Sequence, residues 1–327
     1  MLEHGGRLLR AAQRTGIPAA QWLDLSTGVS PWPWPVPALP ATAWHRLPEE
    51  EDGLLQAAVA YYGSPSLLPV AGSQAAIQAL PLLRARSRVG VIAPGYNEHA
   101  HAWQRAGHDV VTAPADVLLA DVDAFEVLVL IHPNNPGGEC FTADTLRDAH
   151  AVLAARGGWL VMDEAFIDAT PGHSLCPEVG EEGLIVLRSV GKFFGMAGAR
   201  AGFVCAWPAL LDALRERLGP WTLSGPTRWA VARALGDHAW QEAARPRLQA
   251  ASGRLAALLR SRGLPPHGGS ALFQWCRHPR AAELHEALQQ RAVLIRLFDT
   301  PPSLRFGLPP DEAAFERLDE ALRGLAP

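Results

Sequence analysis

Residues 188–203 read RSVGKFFGMAGARAGF, with Lys192 near the middle. Lys192 is the one lysine of the chain, and the other 28 of its 29 basic residues are arginine. Lys and Arg serve about equally well as solvated surface cations, so a chain this short of lysine prefers arginine. Arg stays protonated, whereas Lys can release its proton and form an imine. The count alone is equally compatible with chance survival, so the neighbourhood decides. Ser189 stands three residues before the lysine and Arg200 eight after. Gly191, Gly195, Gly198 and Gly202 leave the backbone free to approach something closely. A hydroxyl, an amine and a guanidinium on a Gly-rich turn suit a phosphorylated aldehyde. The amine would form the imine, and Ser189 and Arg200 would hold the phosphate.

Outward from this stretch runs a rhythm of short apolar segments and amphipathic ones. Strand candidates are 88–93, 127–132, 159–163, 183–187 and 202–207. Helix candidates are 52–62, 73–84, 98–106, 143–155 and 208–218. Apolar runs of about five residues alternating with helices point to an α/β fold, a mostly parallel sheet covered on both faces. Ligands of such sheets bind at the carboxyl ends of strands. The Pro-rich stretch 31–48 reads as an extended arm. The tail is a long Arg/Ala-rich helical region at 227–262, then α+β patterning with strands near 271–276, 293–297 and 303–307. The expected division is a large domain over 40–220, with 1–39 and 221–327 forming a smaller α+β domain with an N-terminal arm.

Several motifs follow strands. Gly72-Ser73-Gln74 opens a helix whose free N–H groups and dipole suit an anion; a plain turn is the competing reading. Asp163, ending GWLVMD, suits a pyridine nitrogen that must stay protonated, or else a helix cap. Asn135 in HPNNPGG suits a ring hydroxyl, or a turn. Tyr96 in APGYNEH suits stacking on a flat ring, or packing. Their joint occurrence after strands is more specific than any single one. His99 and His101, two apart on a helix, point in different directions, which leaves them packing or solvated and not a metal pair. Trp32 and Trp34 read as covers for a groove or a partner subunit.

Composition removes other classes. Hydrophobic content of 48% in 327 residues is ample for a core, and a net charge of -4 argues against nucleic-acid or polybasic membrane roles. No apolar run approaches the roughly 20 residues of a membrane span. The opening MLEHGGRLLR has no secretory pattern, and Cys140, Cys176, Cys205 and Cys276 form no metal-type pair. The expectation is a cytoplasmic enzyme with reduced thiols and no metal.

These residues together resemble fold-type I pyridoxal-phosphate enzymes, within them the histidinol-phosphate aminotransferase-like group, and most closely the threonine-phosphate decarboxylases of cobalamin biosynthesis. The resemblance rests on HGGR (4–7), LDLSTGVSPWPWP (23–35), AGSQ, PGY, HPNNPGG, MDEAFID (162–168), the lysine stretch, LIRLF (294–298) and LRFGL (304–308). It implies a fold-type I transferase-like architecture and pyridoxal 5'-phosphate bound by Gly72, Ser73, Gln74, Tyr96, Asn135, Asp163, Ser189, Lys192 and Arg200. Lys192 carries the imine and Asp163 pairs with the ring nitrogen; these two are the expected catalytic residues. His4, Arg7, Arg296 and Arg305 are the expected binders of an anionic amino-acid phosphate. The implied reaction is decarboxylation of L-threonine O-3-phosphate by a homodimer. An aminotransferase acting on histidinol phosphate or a related amino acid is the alternative, and a non-catalytic cofactor-binding module a third. Two departures stand out. Phe166 occupies a usual Tyr position, and His45-Arg46-Leu47-Pro48 replaces a usual Arg-Tyr-Pro.

Overall fold

The computed structural model describes residues 4–325. Two compact units account for it. The larger holds residues 33–134 and 140–242, and the smaller, of the described residues, 4–32, 135–139 and 243–325.

The larger unit is built on a seven-stranded sheet. Its order is Leu67–Val70, Gly202–Cys205, Leu184–Ser189, Trp159–Asp163, Val127–Ile131, Arg88–Ile92 and Asp109–Ala113. Every neighbouring pair is parallel except the two made by Gly202–Cys205, which runs against the rest. The central strands are buried along their whole length. That is why they read as unbroken apolar runs and not as alternating ones. One face carries Val129, Val161, Ile185, Leu187 and Val204 against helix residues Ile77, Trp103, Leu210 and Leu214. The register puts Ile131, Asp163 and Leu187 side by side, so the residues that follow them share one end of the sheet. Leu67–Val70 and Asp109–Ala113 were not among the strands expected. The first is too short and Pro-interrupted, and the second is an edge strand with a half-polar pattern.

The smaller unit has a four-stranded antiparallel sheet, Arg296–Phe298, Ser303–Gly307, Phe273–Arg277 and Gly268–Ser270. A two-stranded parallel ribbon joins Leu23–Asp24 to Val293–Leu294. Helices Leu8–Thr15, Ala281–Gln290 and Glu312–Leu322 complete it. Residues 135–139 belong here because of four glycines. A Cβ on Gly268 would stand 1.8 Å from the Gly137 carbonyl oxygen, and one on Gly138 would stand 1.9 Å from that of Gly269. The two backbones touch with no room for side chains.

The division differs from the one expected at 39/40 and 220/221. It falls at 32/33 and inside the helix His238–Ser261. Helix Gly225–Gly236 stays with the larger unit because it packs on Thr42–His45 and Leu54–Tyr62. The start of the next helix stays too, since Trp240 stacks on Phe194. Pro246 lies four residues past Glu242 and cannot donate to that carbonyl. The expected helical region 227–262 is two helices, separated at Asp237. Its carboxylate accepts from the Trp240 N–H and from the Trp34 indole (3.1 and 3.0 Å). The Pro-rich arm contains one helical turn, Thr42–His45. Trp32 is held separately within the smaller unit, its indole donating to the Pro310 carbonyl (2.8 Å). Among the described residues, no helix is long and apolar enough to cross a membrane.

The glycine contact supplies a test. Gly138, at φ 81°, is predicted to tolerate no side chain. Gly138→Ala should lower unfolding free energy by about 1–3 kcal/mol, the usual cost of forcing atoms into a packed place. Urea unfolding with an unchanged midpoint would contradict the contact.

Candidate active site

Asp163 ends its strand with a carboxylate that is almost fully buried. Its Oδ1 accepts from the Ala165 N–H (3.0 Å), and its Oδ2 lies 2.9 Å from His99 Nε2. An ionised carboxylate only accepts, so His99 donates through Nε2. His99 is buried in the first turn of helix Glu98–Arg105, its ring edge-on to Tyr96 at 6.1 Å between centroids. The expectation of a packing or solvated role for both histidines therefore holds only for exposed His101. His99 is a site residue that the motif reading missed. The available signal was its position three residues after Tyr96, at the start of the helix that follows the same strand end.

Tyr96 donates its hydroxyl to Gln74 Oε1 (3.2 Å), and Gln74 Nε2 donates to Glu98 Oε2 (2.9 Å). Burial first, then the Glu98 and Asp163 carboxylates, push the Tyr96 phenol up to about 12, so it stays neutral. The Gln74 side chain is thus committed to Tyr96 and Glu98. What it can offer an anion is its backbone N–H, among the first-turn donors that no helical carbonyl satisfies.

Two close glycine approaches and one strand pairing assemble the remaining donors. Gly72, at φ 73°, lies under the Arg200 guanidinium; a Cβ there would stand 2.6 Å from Nη2. Gly202 abuts the Ser73 N–H, which a Cβ would approach to 2.6 Å. Gly202 is also the register partner of Ser189, whose hydroxyl accepts from the Gly191 N–H (3.2 Å). Gly72, Ser73, Ser189 and Arg200 therefore meet at one bare turn. Lys192 follows, its Nζ 5.5 Å from the centre of the Phe166 ring. Phe166 is buried and brings no hydroxyl. At the other departure, Leu47 is exposed and Arg46 pairs with Glu49 (2.6 Å).

The smaller unit holds a second set. Arg305 is buried, with Nη2 donating to the Ser26 carbonyl (2.8 Å) and Nη1 to Asn135 Oδ1. That leaves Asn135 only its amide donors. Arg296 stands directly across the strands from Arg305. Burial, then the Arg296 charge, push the Arg305 guanidinium down to about 9. Like charges opposed across a sheet are unfavourable unless an anion joins them. The opening HGGR is brought to the same place. The Gly6 N–H donates to Ser26 Oγ (2.7 Å), and a Cβ on Gly5 would stand 2.1 Å from the Ser26 carbonyl oxygen. His4 and Arg7 flank this clamp, both half-buried. The structure thus groups Asp163, Tyr96, Gln74, Gly72, Ser73, Ser189, Arg200 and Lys192 in the larger unit. It groups Asn135 with Arg305, Arg296 and the His4–Arg7 segment in the smaller. Among the described residues no cluster of three or more His, Cys, Asp or Glu could hold a metal.

Residues 47–322 match the family model described as aminotransferase class I and II. The chain belongs to the aminotransferase class I and II family. Within the family it is 56% identical to a threonine-phosphate decarboxylase of Pseudomonas aeruginosa, over 99% of this chain and 98% of that one. It is 42% identical to a threonine-phosphate decarboxylase of a Sinorhizobium species, over 98% and 97%. In fold it matches the crystal structure of histidinol-phosphate aminotransferase from Sinorhizobium meliloti in complex with pyridoxal-5'-phosphate. The TM-score is 0.81 at 19% identity, covering 100% of this chain and 99% of that one. The fold-type I architecture expected from the motifs is the one observed.

His132, just past the strand Val127–Ile131, is wholly buried. Its Nδ1 accepts from the Phe141 N–H (3.2 Å) and its Nε2 donates to the His173 carbonyl (3.2 Å). Burial pushes its pKa down to about 4 from 6.5. Between those values the unfolded chain binds the proton and the folded chain does not, so stability falls as pH drops from about 6.5 to about 4. His132→Gln should flatten that slope by up to one proton. Equal slopes for both proteins in urea unfolding across the window would refute it.

Proposed function

We propose that this protein is a pyridoxal 5'-phosphate-dependent decarboxylase that converts L-threonine O-3-phosphate to (R)-1-aminopropan-2-ol O-phosphate, in cobalamin biosynthesis, acting as a cytoplasmic homodimer. The full-length likeness to threonine-phosphate decarboxylases carries the choice of reaction. The opposed Arg296 and Arg305 support a substrate that is anionic at both ends, since two guanidinium groups facing each other, that of Arg305 buried, favour anions beside them.

The residues of the larger unit fit the cofactor. A bare Gly72 under Arg200 leaves a cradle that a Cβ would fill, and donors surround it. A buried carboxylate, Asp163, and the chain's one lysine complete the set. When bound, the cofactor supplies an aldehyde for the substrate amine and a ring that takes up the electron pair left as CO2 departs.

Asp163, held by the Ala165 N–H and His99, keeps a proton at the ring nitrogen. The neutral Tyr96 ring would stack on the cofactor ring and help exclude water. Ser73, Ser189, Arg200 and the first-turn N–H groups at Ser73 and Gln74 hold the phosphate. Asn135 offers its amide N–H to the ring hydroxyl, without help from a phenol at Phe166. Lys192 carries the exchangeable amine and returns a proton to the α-carbon. Arg305, oriented by Ser26 and Asn135, positions the carboxylate, while Arg296, His4 and Arg7 take the rest of the substrate. Binding the leaving carboxylate no more tightly than in the transition state keeps the barrier low.

Cofactor-loaded protein given threonine phosphate, with no 2-oxoacid, should release CO2. Lys192→Ala should lower that rate by roughly 10²–10⁴-fold, the span for losing a proton-transfer group, and leave thermal unfolding nearly unchanged. Glutamate formed from 2-oxoglutarate and histidinol phosphate, with no CO2 from threonine phosphate, would contradict the reading. So would a lysine variant within a few-fold of the parent.

A further inference from the structure

Arg188 lies at the centre of a buried ion cluster that the proposed mechanism does not use. Its side chain is 2% exposed, and those of Glu164 and Asp168 are 0% exposed. Nη1 donates to Glu164 Oε2 (3.0 Å) and to Ser174 Oγ (2.7 Å), and Nη2 donates to Asp168 Oδ1. The guanidinium lies 4.5 Å over the Tyr62 ring, and Tyr61 donates its hydroxyl to Asp168 (3.1 Å). Glu164 also accepts from Ser174 Oγ (2.5 Å) and the Leu175 N–H (2.8 Å).

Burying such a cluster costs desolvation, and apolar residues of similar volume commonly give equal or greater stability. Its members are neighbours of the site in the chain. Glu164 directly follows Asp163, and Asp168 lies two residues past Phe166. Arg188 directly precedes Ser189 and lies four residues before Lys192. A planar guanidinium with fixed donor directions sets the separation of its partners more narrowly than apolar contact can.

We infer that Arg188 is a positioning residue for the proposed decarboxylation. Through Glu164 and Asp168 it holds the segment carrying Asp163 and Phe166 against the strand that leads into Ser189 and Lys192. This rests on the function proposed above.

The test uses the cofactor-loaded protein and two variants. Arg188→Met with Glu164→Gln and Asp168→Asn removes every charge of the cluster and strands none; Arg188→Lys keeps a cation but loses the fork. Melting of the cofactor-free protein, cofactor affinity, the absorbance maximum of bound cofactor, and kcat and KM for threonine phosphate are measured. The neutral triple variant should melt at or above the parent, yet show a displaced absorbance maximum and a kcat lower by roughly ten- to hundredfold, the scale of a 1 Å misplacement. KM should stay within about threefold, because the anion-binding arginines are untouched. Arg188→Lys should move the same readouts in the same direction, by less. A folded variant of either kind with the parent's spectrum and kcat overturns the assignment, as does a kcat loss that only follows a lower melting temperature. A parent that binds no pyridoxal phosphate would instead defeat the proposed function.

Discussion

The parallel pairing of Trp159–Asp163 with Leu184–Ser189 is the constraint on which the candidate site depends. It sets Asp163 beside Leu187, and so sets the carboxylate beside the strand that carries Ser189 and leads to Lys192. A slip of one residue would turn every side chain of a strand to the opposite face. Apolar burial on both faces opposes such a slip, since each strand interior is fully covered. Close backbone approaches then extend the register to its surroundings. Gly202, paired with Ser189, leaves space for Ser73, and Gly72 leaves space for Arg200.

The two units divide the electrostatics. The larger keeps a buried carboxylate at Asp163, pairs Arg188 with Glu164 and Asp168, and pairs Arg228 with Asp52. The smaller leaves two arginines facing each other, one of them buried. Burial, and then the facing Arg296 charge, push the Arg305 guanidinium down. Two guanidinium groups on facing strands suit a ligand that brings its own negative charge, as an amino-acid phosphate does.

Much of this was legible in one dimension. A lysine kept among 28 arginines and strand-end motifs are signals of composition and order. Asp163, Tyr96, Ser73, Ser189 and Arg200, each read from such a motif, all lie in the larger unit. What stayed hidden depends on approach in space. His99 looked like half of an i, i+2 pair, and its tie to Asp163 spans 64 residues. Gln74 spends its side chain on Tyr96 and Glu98, more than twenty residues further along the chain, which its own motif does not show. Asn135 accepts from Arg305, 170 residues away, which no local pattern encodes. The unit boundary escaped because it falls inside a continuous helix, where composition does not change.

The central claim is that one side-chain amine, that of Lys192, does the covalent work. Treating the cofactor-loaded protein with borohydride makes permanent any bond between an amine and the cofactor aldehyde. Peptide mass mapping then locates it. The account predicts a single pyridoxyl addition, on the peptide containing Lys192. No addition, or one confined to the amino terminus of the chain, would contradict it.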